Sequence, residues 1–206
     1  MTVILFDGKP RTGKGVGMCI WANDWRIQRL RQGLKVEDFD IMANYNLKFA
    51  TKPKMDIYDI LNVPLTDVER KPKLILIQEA DKQFDSWVKN EDMRMLSSFA
   101  GQSGKRNIDI YMDTQFYTRL QKVLRKIIDY KIVTASYVYA NTKEPIAFEY
   151  TIGESLGNDE FGVIAPPLTL PVNVVVHGLQ VRDYYHLYDS YEVTQPYVTE
   201  EIEGGN

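Results

Sequence analysis

Apolar positions along the chain fall into short runs and helical spacings that alternate over its first two thirds. Val3 to Phe6 is an uninterrupted apolar run that stops at Gly8. Val16 to Leu34 carries Ile20, Ile27, Leu30 and Leu34 near helical spacing, which predicts a helix ending at Gly33. Tyr45 to Phe49 is a short strand candidate, and Met55 to Leu61 a short helix closed by Val63-Pro64. Leu74-Ile75-Leu76-Ile77 is an apolar run of strand length within Lys73 to Gln78, the pattern of a central parallel strand buried on both faces. Asp92 to Ala100 reads as a helix, Ile108 to Asp113 as a strand and Tyr117 to Ile128 as a helix. The pattern changes after Tyr130. Ile132 to Tyr139, Ile146 to Ile152 and Val172 to His177 are β-branched and aromatic, punctuated by Gly153, Gly157, Gly162, Pro166-Pro167 and Pro171.

Alternating strand and helix imply a mainly parallel sheet with helices on its faces. The expected fold class is therefore α/β, with a β-rich C-terminal extension that adds strands to the sheet or forms a flap. Residues 1–206 are read as one domain: a core over 1–130, a β-rich part over 131–198, and an acidic Gly-Gly tail over 199–206 that is expected to fray. At 206 residues and 44% hydrophobic, the chain can bury a substantial core. Cys19 is the only cysteine, which excludes an intrachain disulfide and a cysteine zinc cluster, and it is expected as a small buried residue of the first helix. No run approaches the ~18 apolar residues of a membrane helix, so no membrane partner is expected. His177 and His186 are too isolated to propose as metal ligands. With 25 basic and 28 acidic residues the net charge is −3, which argues against a surface coated in positive charge for nucleic acid.

The chemistry concentrates at the end of the first strand. Gly8-Lys9-Pro10-Arg11-Thr12-Gly13-Lys14-Gly15, followed by Val16, has the G-x-x-x-x-G-K spacing of a phosphate-cradling loop, with Gly15 where a Ser or Thr is usual. Glycines let successive N–H groups turn toward a polyphosphate, the helix start adds positive dipole, and Lys14 reaches the β and γ oxygens. Such a loop needs an acidic strand end nearby. Glu79, directly after the apolar run, is the candidate general base, and Gln78 stands where an Asp would hold magnesium through water. Both are candidates for the magnesium shell, while Asp81 and Asp85 are read as surface acids. Thr114-Gln115 ends a third strand, where Gln115 can touch the γ-phosphate or the attacking water. Without the hydroxyl at Gly15, a magnesium ligand has to be replaced by water or by another side chain.

The ordered set Gly8–Gly15, Leu74–Glu79, Gly104–Ile110 and Thr114-Gln115, then Arg119 and Arg125, resembles the FtsK/HerA superfamily of pumping ATPases. Leu187 to Val193 is similar to a C-terminal segment of viral and phage members, including zonula-occludens-toxin-like phage assembly ATPases. Size and motif wording look nearest to the DNA-packaging ATPases of Sulfolobus turreted icosahedral viruses. The resemblance implies a RecA-like P-loop NTPase core that uses ATP and Mg2+ and works as a homo-oligomeric ring, a hexamer above all. It implies double-stranded DNA and capsid or portal-vertex proteins as partners, in the virion and the host cytoplasm. It also implies an arginine finger from a neighbouring subunit, for which Arg106 and Arg125 rank equally and Arg119 third.

Two other classes compete with a packaging motor. A zonula-occludens-like extrusion ATPase shares the fold, although such proteins usually carry a membrane span. A small P-loop kinase normally keeps Ser or Thr after the lysine and adds an arginine-dense lid, and neither is present.

Overall fold

The structure is a computed structural model that describes residues 1–61, 71–84, 98, 99, 101, 107–142, 145–165, 167–171, 175, 176, 179, 180 and 187. In chain order these form β1 (Val3–Asp7), α1 (Lys14–Arg31), β2 (Asp40–Ala43), α2 (Ile57–Leu61), β3 (Lys73–Ile77), α3 (Ala80–Gln83) and β4 (Ile108–Thr114). After them come α4 (Lys122–Arg125), β5 (Tyr130–Val138), β6 (Pro145–Gly157), β7 (Glu160–Val163), β8 (Leu168–Pro171), β9 (Val175–Val176) and β10 (Leu179–Gln180).

One sheet organises the molecule, in the order β2-β3-β4-β1-β5-β6-β7, with β8 also pairing with β6. β2, β3, β4, β1 and β5 are parallel, whereas β6 is antiparallel to β5, β7 and β8. Successive strand residues point to opposite faces, and both faces of the parallel part are covered. Along β1, Ile4 and Phe6 join the core that α1 closes with Val16, Met18, Cys19, Ala22 and Trp25. Val3 and Leu5 join a second core with Ile75, Ile77, Ile110, Met112, Leu120 and Leu124. This is why the strands read as unbroken apolar runs.

The α/β class, the mainly parallel sheet and its extension by later strands all stand as expected. Several elements differ. The second strand is Asp40–Ala43, and Tyr45 to Phe49 is a loop. Tyr45 and Leu47 are each 1% exposed, so a buried loop imitated the period of a strand. α1 begins at Lys14, earlier than Val16. Tyr117 to Ile128 is not one helix: a 3-10 turn over Tyr117–Arg119 is separated from α4 by the extended Leu120. The Gln121 N–H donates to Phe84 O (3.2 Å), which takes it out of a helical ladder. Gly153 and Gly162 lie inside β6 and β7 instead of between strands. Most of the expected Asp92–Ala100 helix, most of Val172–His177, the Leu187–Val193 match beyond Leu187, the 199–206 tail, Asp85, Arg106, His177 and His186 lie outside the described residues.

Candidate nucleotide site

Because β1, β3 and β4 run parallel and in register, their carboxyl ends meet at one edge of the sheet. Asp7 pairs with Thr114 and Ile77 with Met112, so the loop after β1 lies beside Gln115, and Gln78-Glu79 follow on the far side of β4. Lys14, Glu79 and Gln115 are thus brought together by strand order, with β4 between the other two. Arg125 is brought to a neighbouring place, described below.

The Gly8–Gly15 loop joins β1 to α1 through left-handed turns. Gly13 caps α1 with φ +87, and Arg11 also has positive φ (64). A Cβ at Gly13 would meet the Phe148 ring, so glycine is required there for space as well as for conformation. The first turn of α1 contains no acidic residue, and the N–H groups that open a helix have no carbonyl partner within it. The Lys14 ammonium folds back and donates to Gly8 O and Lys9 O, both at 2.9 Å. Burial holds the Lys14 pKa below its ordinary value, against the opposing charges of Asp113, Asp81, Asp7 and Glu79. Lys9, Pro10 and Arg11 are exposed at the rim, whereas Thr12 Oγ1 donates inward to Lys9 O (2.8 Å).

The loop is supported from an unexpected side. Thr12 Oγ1 shares a hydrogen bond with Thr134 Oγ1 of β5 (2.7 Å), and Tyr150 of β6 donates its hydroxyl to Gly13 O (2.8 Å). Phe148, Tyr150 and Thr134 are all buried. The C-terminal strands therefore build the wall of the phosphate loop, a role their sequence pattern did not announce.

Across β4, Glu79 has φ 53 and ψ 47, a left-handed conformation uncommon outside glycine. Its carboxylate takes an ion pair from Lys82 (2.7 Å) and the amide of Gln115 (Nε2 to Oε1, 3.4 Å). Asn44, just past β2, grips the backbone of Gln78 twice: Gln78 N–H donates to its Oδ1 (2.8 Å) and its Nδ2 donates to Gln78 O (3.1 Å). Gln78 Oε1 is buried and has no hydrogen-bond partner among the described residues. Asp81 is 1% exposed, so the surface position expected for it is wrong. Asp113 is fully enclosed, and burial pushes its carboxyl up to about 6 despite the Glu79 N–H and Lys14. Asp113 carries no role in the sequence reading, although it directly follows the apolar Ile110-Tyr111-Met112.

Arg125 is held within its own chain. It pairs with Asp159 (3.0 Å) in the turn between β6 and β7 and lies over the Tyr117 ring (5.5 Å). Lys131 lies over the same ring (4.4 Å) and pairs with Asp7 (3.0 Å), which links this cluster to the start of the phosphate loop. Arg119 is exposed near Phe116. Among the described residues no group of three or more His, Cys, Asp or Glu forms a metal cluster, and no helix is long and apolar enough to cross a membrane.

No family model matches the chain, and no curated protein matches it. Solved structures do. The N-terminal domain of zonular occludens toxin from Neisseria meningitidis superposes with a TM-score of 0.60 at 15% identity, over 91% of this chain and 98% of that domain. The genome packaging NTPase of Sulfolobus turreted icosahedral virus 2 in complex with AMPPCP gives 0.51 at 12% identity, over 80% and 97%. The chain has the RecA-like P-loop NTPase fold. The ATP-γ-S complex of the same viral NTPase gives 0.50 at 12% identity, over 81% and 98%. At these identities the likeness speaks for the fold, and the chemistry rests on this chain's own residues.

Proposed function

We propose that this chain hydrolyses ATP, and that it does so as a FtsK/HerA-type motor moving viral double-stranded DNA into a capsid. The convergence of Lys14, Glu79 and Gln115 at one edge of the sheet carries the ATPase reading. Gly8 to Val16 binds the phosphates through backbone N–H groups, and Lys14 exchanges its two carbonyl partners for the β and γ oxygens. Glu79 accepts the proton of the attacking water as its oxygen adds to the γ-phosphorus and the bond to the β-bridging oxygen breaks. Gln115, hydrogen-bonded to Glu79, registers the loss of the γ-phosphate.

The unpartnered Gln78 Oε1 beside Glu79 fits a magnesium shell built through water, which also suits a loop with glycine at position 15. Magnesium supplies charge neutralisation on the phosphates there. In a homo-oligomeric ring, hexameric in this reading, Arg106 or Arg125 reaches the neighbour's site as the finger. For Arg125 that requires release from Asp159. Capsid or portal-vertex proteins complete the assembly, and residues 1–206 act as a single domain.

A second reading is a virion assembly or extrusion ATPase of the zonula-occludens-like type. It is favoured by the TM-score of 0.60 over 91% of the chain. ATPase rate against added double-stranded DNA separates the two, with Lys14→Ala and Glu79→Gln as controls. DNA stimulation supports the packaging motor. Hydrolysis indifferent to DNA supports the second reading, and absence of hydrolysis in the parent protein removes both.

A further inference from the structure

We propose that Asp81 and Asp113 form a crossed brace that positions Glu79 against Gln115. Asp113 lies near the end of β4 and Asp81 in α3 just past β3, and each holds backbone on the other side. Asp113, on β4, accepts the N–H of Glu79 beyond β3 (2.5 Å). Asp81, beyond β3, accepts the N–H of Gln115 beyond β4 (3.4 Å). Both carboxylates are buried, at 4% and 1% exposure, which is costly for a charged group unless it is held by donors. What the brace obtains is geometric. Glu79 keeps a left-handed backbone that few non-glycine residues adopt, and Gln115 Nε2 stays within reach of its carboxylate.

Asn44 secures the neighbouring Gln78 from the β2 side, so residues 78 and 79 are fixed from both flanks. A carboxylate suits this task better than a neutral acceptor, because hydrogen bonds to ionised groups are shorter and stronger. Asp81 and Asp113 are positioning residues that act through Glu79 and Gln115. The catalytic part of the inference rests on Glu79 being the base; the brace itself is readable without any activity.

The test combines amide exchange with kinetics on the full chain. By NMR-detected exchange, Asp113→Ala should speed the Glu79 amide by about tenfold or more and spare Gln115, while Asp81→Ala should do the reverse. Uniform acceleration across the sheet, or no change at either amide, overturns the brace. If the alanine variants do not fold, Asp113→Asn and Asp81→Asn keep an acceptor oxygen without the charge and should show the same site-specific pattern, reduced in size. In kinetics, Asp113→Ala should lower kcat by up to ~100-fold, the scale of a small misplacement, with affinity for a fluorescent ATP analogue within about twofold of the parent. In a Glu79→Gln background it should cost nothing further, and a full additional loss there refutes positioning. If the parent hydrolyses no ATP, the proposed function fails while the amide exchange still decides the brace.

Discussion

Gly17→Ala is the substitution in which local preference and packing disagree most openly. Gly17 lies inside α1, where alanine is favoured over glycine by about 1 kcal/mol. Its new methyl, however, would sit well inside contact distance of Tyr150 Cε1, 3.0 Å from Cζ and 3.2 Å from Phe6 Cε1. Tyr150 cannot swing aside freely. It is fully buried, its ring lies 5.4 Å from that of Trp21, and its hydroxyl holds Gly13 O at 2.8 Å. Overpacking costs ~1–3 kcal/mol and a lost hydrogen bond about 1 kcal/mol. After the helix gain is subtracted, we expect a net loss of roughly 1–3 kcal/mol, which lowers Tm by about 3–10 °C in a chain of this size. Urea unfolding followed by circular dichroism measures it, and a weaker affinity for a fluorescent ATP analogue should accompany it because the loop loses its clamp. In a Tyr150→Ala background the same change should become neutral or stabilising. A Gly17→Ala protein that melts higher than the parent, or one that loses the same amount in both backgrounds, refutes the reasoning.

Four further outcomes are expected. Glu79→Gln should lower kcat by ~10²- to 10⁴-fold with nucleotide affinity retained, as single-turnover assays can show. Lys14→Ala should abolish the thermal stabilisation by ATP, which at a hundredfold excess over Kd amounts to about 2.7 kcal/mol in the parent. Tyr150→Phe, which removes one of two donors to Gly13 O and leaves the Gly17 N–H, should cost about 1 kcal/mol in urea titrations. Asp113 has a folded pKa of about 6 against an ordinary 3.8, so between those values the folded protein holds a proton that the unfolded chain has lost. Stability therefore falls as pH rises through that window. Asp113→Asn removes this titration and should flatten the fall in stability between about pH 4 and pH 6, and an unchanged pH profile refutes the burial argument.

The parallel core was legible because both faces of its strands are buried, which turns each strand into an unbroken apolar run. The loop from Gly8 to Gly15 was legible because its chemistry is local: glycine and lysine spacing is needed whatever surrounds it. Glu79 and Gln115 followed from strand ends. What the sequence concealed depends on strand order. Asp81 looks like a surface acid and Asp113 like an ordinary strand residue until β3 and β4 are set side by side, and Tyr150 looks like one more β-prone aromatic until β6 is placed next to β5. Tyr45 and Leu47 misled for a different reason, since alternation marks burial on one side and a buried loop can satisfy it. Tyr117 to Ile128 misled because the Phe84 carbonyl claims the N–H of Gln121.

The hydroxyl of Tyr150 closes on Gly13 across a sequence separation of 137 residues, and Thr134 on Thr12 across 122. A ribosome making this chain therefore releases its phosphate loop early and its clamp late. Until β6 has emerged and docked, nothing on that side fixes the Gly13 carbonyl. Nucleotide capture should then mark the end of folding, and a chain cut before β5 should be a fragment that cannot hold ATP. An ATP analogue present during synthesis would act on the last step of folding, favouring only chains that have already closed the sheet.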